Sequence, residues 1–163
     1  MTFSGLAWLF ALAVTLHNLE EALWLPAWSK TAGRWHVAVG AAEFRFAVIA
    51  LTLFGYICVG LAVAGSRLGA CLVGGYALAM AFNAVIPHGL ATLVMRRYMP
   101  GTATAILFLL PTALLLLRSA FDEGRVSLAT FAWAGPLTVI AIVASIPALF
   151  AVGRALERRA PGP

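Results

Sequence analysis

Apolar residues run along this chain in five long stretches, and each is closed off by a short group of charged residues, proline or glycine. About 20 consecutive apolar residues cross a bilayer as a helix. The pattern therefore predicts spans over residues 3–24, 43–64, 68–94, 102–117 and 128–152. Gly65, Ser66 and Arg67 leave room only for a tight turn, which makes spans 2 and 3 antiparallel neighbours. Trp24, Trp28 and Trp35 gather around Pro26, Lys30 and Arg34, the composition of an interfacial belt followed by a short loop. Late in span 3, Pro87 removes a backbone donor four residues after Asn83 and predicts a kinked or opened helix there. Pro136 or Pro147 is expected to bend span 5, and residues 118–127 form the most charged linker.

Composition turns this pattern into a compartment. Of 163 residues, 63% are hydrophobic and 10% charged, whereas soluble domains carry about 25% charged residues. The expectation is an all-α, polytopic helix bundle forming one domain over residues 1–163, integral to a bacterial-type cytoplasmic membrane and in contact with its lipids. Eleven Lys and Arg oppose six Asp and Glu, giving +5. Lys30, Arg34, Arg45, Arg96, Arg97, Arg154, Arg158 and Arg159 fall on one side of a five-span topology, and Arg67, Arg118 and Arg125 on the other. The positive-inside rule then puts the N-terminus outside and the C-terminus in the cytoplasm. The basic residues are scattered among span ends, which excludes a nucleic-acid footprint. Cys58 and Cys71 lie in apolar stretches without a C-x-x-C pair, so neither disulfide nor thiolate metal chemistry is expected. Residues 1–6 contain no Lys or Arg and the first apolar run continues past His17, so a cleaved signal peptide is not expected.

Charge is least expected inside span 1, where H-N-L-E-E occupies residues 17–21. A carboxylate at membrane depth costs roughly 3 kcal/mol. On a helix, His17, Glu20 and Glu21 share one face within about 100° of arc. Following the spans back and forth brings Glu43, Asn83, His88, Tyr98 and Thr102 into the same leaflet, while the opposite half is almost bare of ionisable residues. This segregation predicts a polar cavity in the cytoplasmic half of the bundle. The bland alternative is a structural network tying span 1 to span 3, with Asn83 as interhelical glue, Glu43 as a helix-terminal acid, and His36 and Tyr98 as interfacial residues.

Several chemistries are open to this set. His17, Glu20 and His88, with Glu43 as a further donor, form a nitrogen and oxygen ligand set for zinc or iron, and Glu21 would then act as a base on bound water. Without metal, Glu20 or Glu21 would exchange a proton with an apolar substrate as in double-bond isomerisation, His17 would be the partner, and Asn83 would donate to developing negative charge. The leading expectation is a metal-dependent membrane hydrolase or oxidoreductase acting on a lipid or other apolar substrate from the cytoplasmic leaflet. A proton-coupled transporter is less favoured because no internal repeat is visible. A purely structural membrane protein is the remaining class.

The motif resembles the defining H-x-x-E-E of the HXXEE family of integral membrane proteins, and Tyr98, Pro100, Gly101 and Thr104 fit that family's Y-x-P-G-x-x-T signature. A third signature, N-x-x-x-H, is met by Asn83 and His88 with one residue too many between them. Either that signature is loose or the break at Pro87 takes up the extra residue. The resemblance covers residues 17–104 and implies an uncharacterised membrane activity in which His17, Glu20 and Glu21 take part. It also draws Tyr98, Pro100, Gly101 and Thr104 into the site or its scaffold. A weaker likeness to prenyl-protein intramembrane metalloproteases rests on paired glutamates with histidines from other helices.

Overall fold

Five helices, each long and apolar enough to cross a membrane, carry the chain in a computed structural model that describes residues 1–33 and 36–159. They are α1 (Phe3–Ser29), α2 (Ala41–Val63), α3 (Arg67–Met95), α4 (Thr102–Asp122) and α5 (Leu128–Arg159). The protein is a multi-pass membrane helix bundle. Arg34 and Trp35, two members of the expected interfacial cluster, and residues 160–163 lie outside the described residues.

Four of the helices close a ring, α1 against α2, α2 against α3, α3 against α4 and α4 against α1, and α5 lies along the outer groove of α2 and α3. The ring is filled by Phe3, Phe10, Val14, Val59, Val73, Tyr76, Leu109 and Leu116, all buried. Tyr76 anchors its centre, with its ring edge-on to Phe10 and its hydroxyl donating to the Leu51 carbonyl at 3.2 Å. Small residues set the helix spacing, as they do where lipid gives helices no hydrophobic drive to associate. A Cβ on Gly75 would stand 2.4 Å from Thr138 Cβ, so α3 and α5 meet at a distance only glycine permits.

Three boundaries differ from the sequence expectation, each for an identifiable reason. Helix α1 runs through Pro26 to Ser29 rather than ending near Trp24. Proline at 26 deprives the Ala22 carbonyl of its helical donor, and Arg45 Nε supplies one from α2 at 3.1 Å. Helix α4 continues past Leu117 into the charged linker, where Arg118 and Asp122, four apart, pair at 3.4 Å. Helix α5 extends past Val152, and Arg154 reaches the Glu43 carboxylate at the start of α2. It stays helical through both Pro136 and Pro147.

The end of the ring away from the turn at Gly65 is built differently. Helix α3 opens into a π-helical stretch over Ala84–Leu90 and α4 into another over Ala105–Leu109. Residues 96–101 join the two through left-handed backbone at Arg96 and Gly101. Arg97 ties this loop to the end of α1, donating to the Thr31 carbonyl and hydroxyl and lying over the Trp28 ring. A second apolar cluster, including Leu25, Trp28, Val39, Phe44 and Met99, seals this end.

Candidate metal centre

One turn of α1 sends its polar side chains to three neighbours. His17 and Glu21, four residues apart, stack on the face that looks at α3 and the start of α4. Glu20, one step of about 100° away, meets the 98–104 segment. Asn18 turns to α2 and donates to Thr52 Oγ1 at 2.7 Å.

His17 and His88 are fully buried, and their rings meet edge to face with centroids 4.8 Å apart. The Glu21 carboxylate lies between them, Oε1 at 3.2 Å from His88 Nε2 and Oε2 at 3.7 Å from His17 Nε2. One donor atom from each of the three residues falls within 4.8 Å of the others. Ligands about 2.0–2.1 Å from a tetrahedral ion stand about 3.3 Å apart, so the Glu21–His88 separation is that of a coordination edge and the Glu21–His17 separation is longer than one. Among the described residues the buried Nδ1 of His88 has no hydrogen-bond partner, which ordinarily costs about 1–3 kcal/mol. Two imidazoles and a carboxylate at this spacing can coordinate a divalent metal.

His88 reaches the cluster because α3 opens. In a regular helix, residues five apart diverge by about 140°. The π-helical turn over Ala84–Leu90 pairs the backbone at five-residue spacing. Asn83 and His88 thereby face α1 together, and Asn83 Nδ2 stands 3.2 Å from His17 Nε2. Thr102 Oγ1 donates to the His88 carbonyl at 3.4 Å and shares a 2.8 Å hydrogen bond with Thr92, fastening α4 to the opened segment.

The 98–104 segment closes the cluster from above. Gly101, at φ +95°, places its carbonyl 3.2 Å from His17 Nδ1. A Cβ there would stand 2.6 Å from His88 Cε1 and 2.9 Å from His17 Cε1, so both the backbone conformation and the space require glycine. The Tyr98 hydroxyl donates to Glu20 Oε1, and Thr104 donates to Glu20 Oε2 from its hydroxyl at 2.6 Å and its amide at 3.3 Å. Burial first, and then the Glu20 carboxylate, push the Tyr98 phenol above its ordinary value, so it stays a donor. Pro100 is buried beside a cavity of about 470 Å³ that it lines with Glu20, Trp24, Trp28 and Tyr98.

A larger cavity, about 510 Å³, opens onto the other flank of the motif. Glu21, Asn83 and His88 form its polar wall, and Leu25, Phe44, Val48, Met80, Ile142 and Phe150 are among its apolar lining. His36, expected only at an interface, also lines it. Sequence reasoning missed this role because a loop residue carries no periodicity that would aim it.

The expected ligand set is thus redistributed. The structure joins His17 and His88 through Glu21, whereas Glu20, expected as the ligand, is occupied by Tyr98 and Thr104. The one-residue step around α1 decides this, because the donors at the start of α4 meet only the outer carboxylate. Glu43 stands apart, accepting from the Gly40 amide at 2.8 Å and pairing with Arg154. Asn83, Tyr98, Gly101 and Thr104 are all brought to the motif.

The sequence profile described as "Protein of unknown function with HXXEE motif" matches residues 8–116. The chain belongs to the HXXEE family. The matched region holds every residue of the cluster and its 98–104 roof, and leaves α5 outside. This HXXEE protein is also similar to "Uncharacterized protein YrkK" of Bacillus subtilis (strain 168), with 35% identity over 146 residues, covering 88% of this chain and 92% of that one. No solved structure matches.

Proposed function

We propose that this HXXEE protein is a metal-dependent integral membrane enzyme acting on a lipid or other apolar substrate by hydrolysis or by an oxidative step. The observation that carries this reading is the convergence of His17, Glu21 and His88 beside an apolar cavity. These three residues would hold zinc or iron, a choice consistent with two imidazoles and one carboxylate. A bound ion of this kind polarises a carbonyl or phosphoryl oxygen and acidifies bound water. The cavity walls take up the apolar part of the substrate and exclude bulk water from its reacting group. Asn83 lines the polar wall, and its amide would donate to a substrate oxygen once an ion takes the His17 nitrogen it now contacts. Its volume lies within the roughly 300–1,000 Å³ of small-molecule sites.

In this reading the cluster end of the bundle faces the cytoplasm, with the N-terminus outside. The support is the excess of Lys and Arg at that end, including Lys30, Arg45, Arg96, Arg97 and Arg154. Reporter fusions at the C-terminus should be active only in the cytoplasmic orientation, and the periplasmic result would invert the assignment.

Metal analysis of protein purified in mild detergent tests the central claim. About one zinc or iron per chain is expected, removable by chelators and absent from His17→Ala. A parent protein that neither retains nor takes up a divalent ion would overturn it. That outcome would favour metal-free acid–base chemistry, for which the 3.2 Å contact between Glu21 and His88 is already complete.

A further inference from the structure

The two glutamates of the motif stand one residue apart in sequence and make entirely different contacts. Glu21 enters the cluster, whereas the hydrogen bonds of Glu20, among the described residues, go to the segment that roofs it. We propose that Glu20 is a positioning residue that, through Thr104 and Gly101, fixes the orientation and tautomer of His17. This inference rests on reading His17 as a metal ligand through Nε2.

The hydrogen bonds run in one direction. The Gly101 carbonyl, 3.2 Å from His17 Nδ1, can only accept. Thr104 Oγ1 lies 3.3 Å from the same nitrogen, and its own proton goes to Glu20 Oε2, the shorter contact at 2.6 Å. The carboxylate thereby leaves the threonine oxygen as an acceptor toward His17. Both partners of Nδ1 being acceptors, Nδ1 carries the proton and Nε2 keeps its lone pair. That lone pair accepts from Asn83 Nδ2 at 3.2 Å, a donor that a bound ion would displace, and the Glu21 carboxylate lies 3.7 Å from the same nitrogen. A ligating histidine ordinarily donates its other ring N–H to a carbonyl or carboxylate in this way. The second carboxylate oxygen, accepting from Tyr98, and the Thr104 amide hold the segment against α1, so that the Gly101 carbonyl stays over the imidazole.

Leucine at 20 removes both acceptors and releases the Thr104 hydroxyl proton toward the Gly101 carbonyl, 3.1 Å away, or toward Nδ1. Valine at 104 removes the link, and serine keeps it. The full chain, labelled with ¹⁵N-histidine and reconstituted in lipid nanodiscs without metal, should show His17 protonated at Nδ1. Thr104→Val and Glu20→Leu should show a mixture of tautomers, and Thr104→Ser should match the parent. With Co²⁺ as the probe, Thr104→Val and Glu20→Leu should bind about 10–100-fold more weakly, as losses of outer-shell partners do, and Thr104→Ser should restore affinity and the visible spectrum. Tyr98→Phe, a change at a half-exposed side chain, serves where Thr104→Val does not fold, and should weaken Co²⁺ binding in the same direction. An unchanged His17 tautomer in both Glu20→Leu and Thr104→Val, or failure of Thr104→Ser to restore the parent spectrum, overturns the proposal. A parent that binds no Co²⁺ but shows the expected tautomer and its loss in the variants would sink the metal reading and leave the positioning role standing.

Discussion

The two ends of the ring solve opposite problems. From the middle of the ring to the Gly65 turn, regular helices pack through aromatic and small residues, with Tyr76 against Phe10 and Gly75 against Thr138, and the ionisable groups lie at the helix ends. At the other end, regular backbone is given up at two π-helical stretches and two left-handed residues, and polar side chains converge from α1, α3 and α4. Regular packing keeps every backbone group satisfied within its own helix and so frees no group for chemistry. Opened backbone is tolerated at membrane depth where it faces protein, and here it turns His88 and the Gly101 carbonyl toward His17. The packed end is the frame, and the opened end holds the candidate site.

Substitutions that separate metal binding from stability would break or sharpen this contrast. The largest effect is expected from Glu21→Ala, which removes a donor from the centre of the cluster. With roughly 10–16 kcal/mol of binding shared among about four ligands in structural zinc sites, zinc affinity should fall on the order of 100-fold or more, measured by competition with a chromophoric chelator. Detergent thermal unfolding of the same variant should change little. Gly75→Val should do the reverse. Its side chain would collide with Thr138, overpacking of this kind costs about 1–3 kcal/mol, and the folded fraction should bind zinc as the parent does. Equal losses of affinity in both variants would mean that frame and site are one unit.

The smallest effect belongs to the frame's outer end. Glu123, just past α4, accepts from the Phe3 amide and from Ser119 Oγ, and those contacts, the amide first, hold its carboxyl below the ordinary 4.5. A depressed carboxyl stabilises the fold above its ordinary pKa and loses that contribution as pH falls through the lowered value. The thermal midpoint of the parent should therefore exceed that of Glu123→Gln by a constant margin above pH 5 and converge on it as pH drops below 4.5. Zinc affinity at neutral pH should be the same in both, since Glu123 is remote from the cluster. A pH-independent difference would show that shape rather than charge matters at this contact.

Much of this was legible in order along the chain. The five spans, the turn at Gly65, the break at Pro87 and the gathering of polar residues at one end follow from apolar run lengths and alternating direction, and these depend on composition within each segment. The helix ends at Ser29 and Asp122 and the continuation of α5 past Val152 were not legible, because their causes lie on other elements or in local pairing: Arg45 on the Ala22 carbonyl, Asp122 with Arg118, and Glu43 with Arg154.

By itself the sequence determined that a histidine and two glutamates would share one face of the first span, since spacing on a helix fixes that angle to within a turn. Which glutamate joins the two histidines was decided only in three dimensions. Neighbouring carboxylates on α1 differ by about 100°, and that rotation matters only once other helices stand around it. The π-helical turn in α3 brings His88 to Glu21, and the left-handed glycine at 101 brings the Thr104 hydroxyl and the Tyr98 phenol to Glu20. Tertiary packing thus gave two chemically identical side chains different partners.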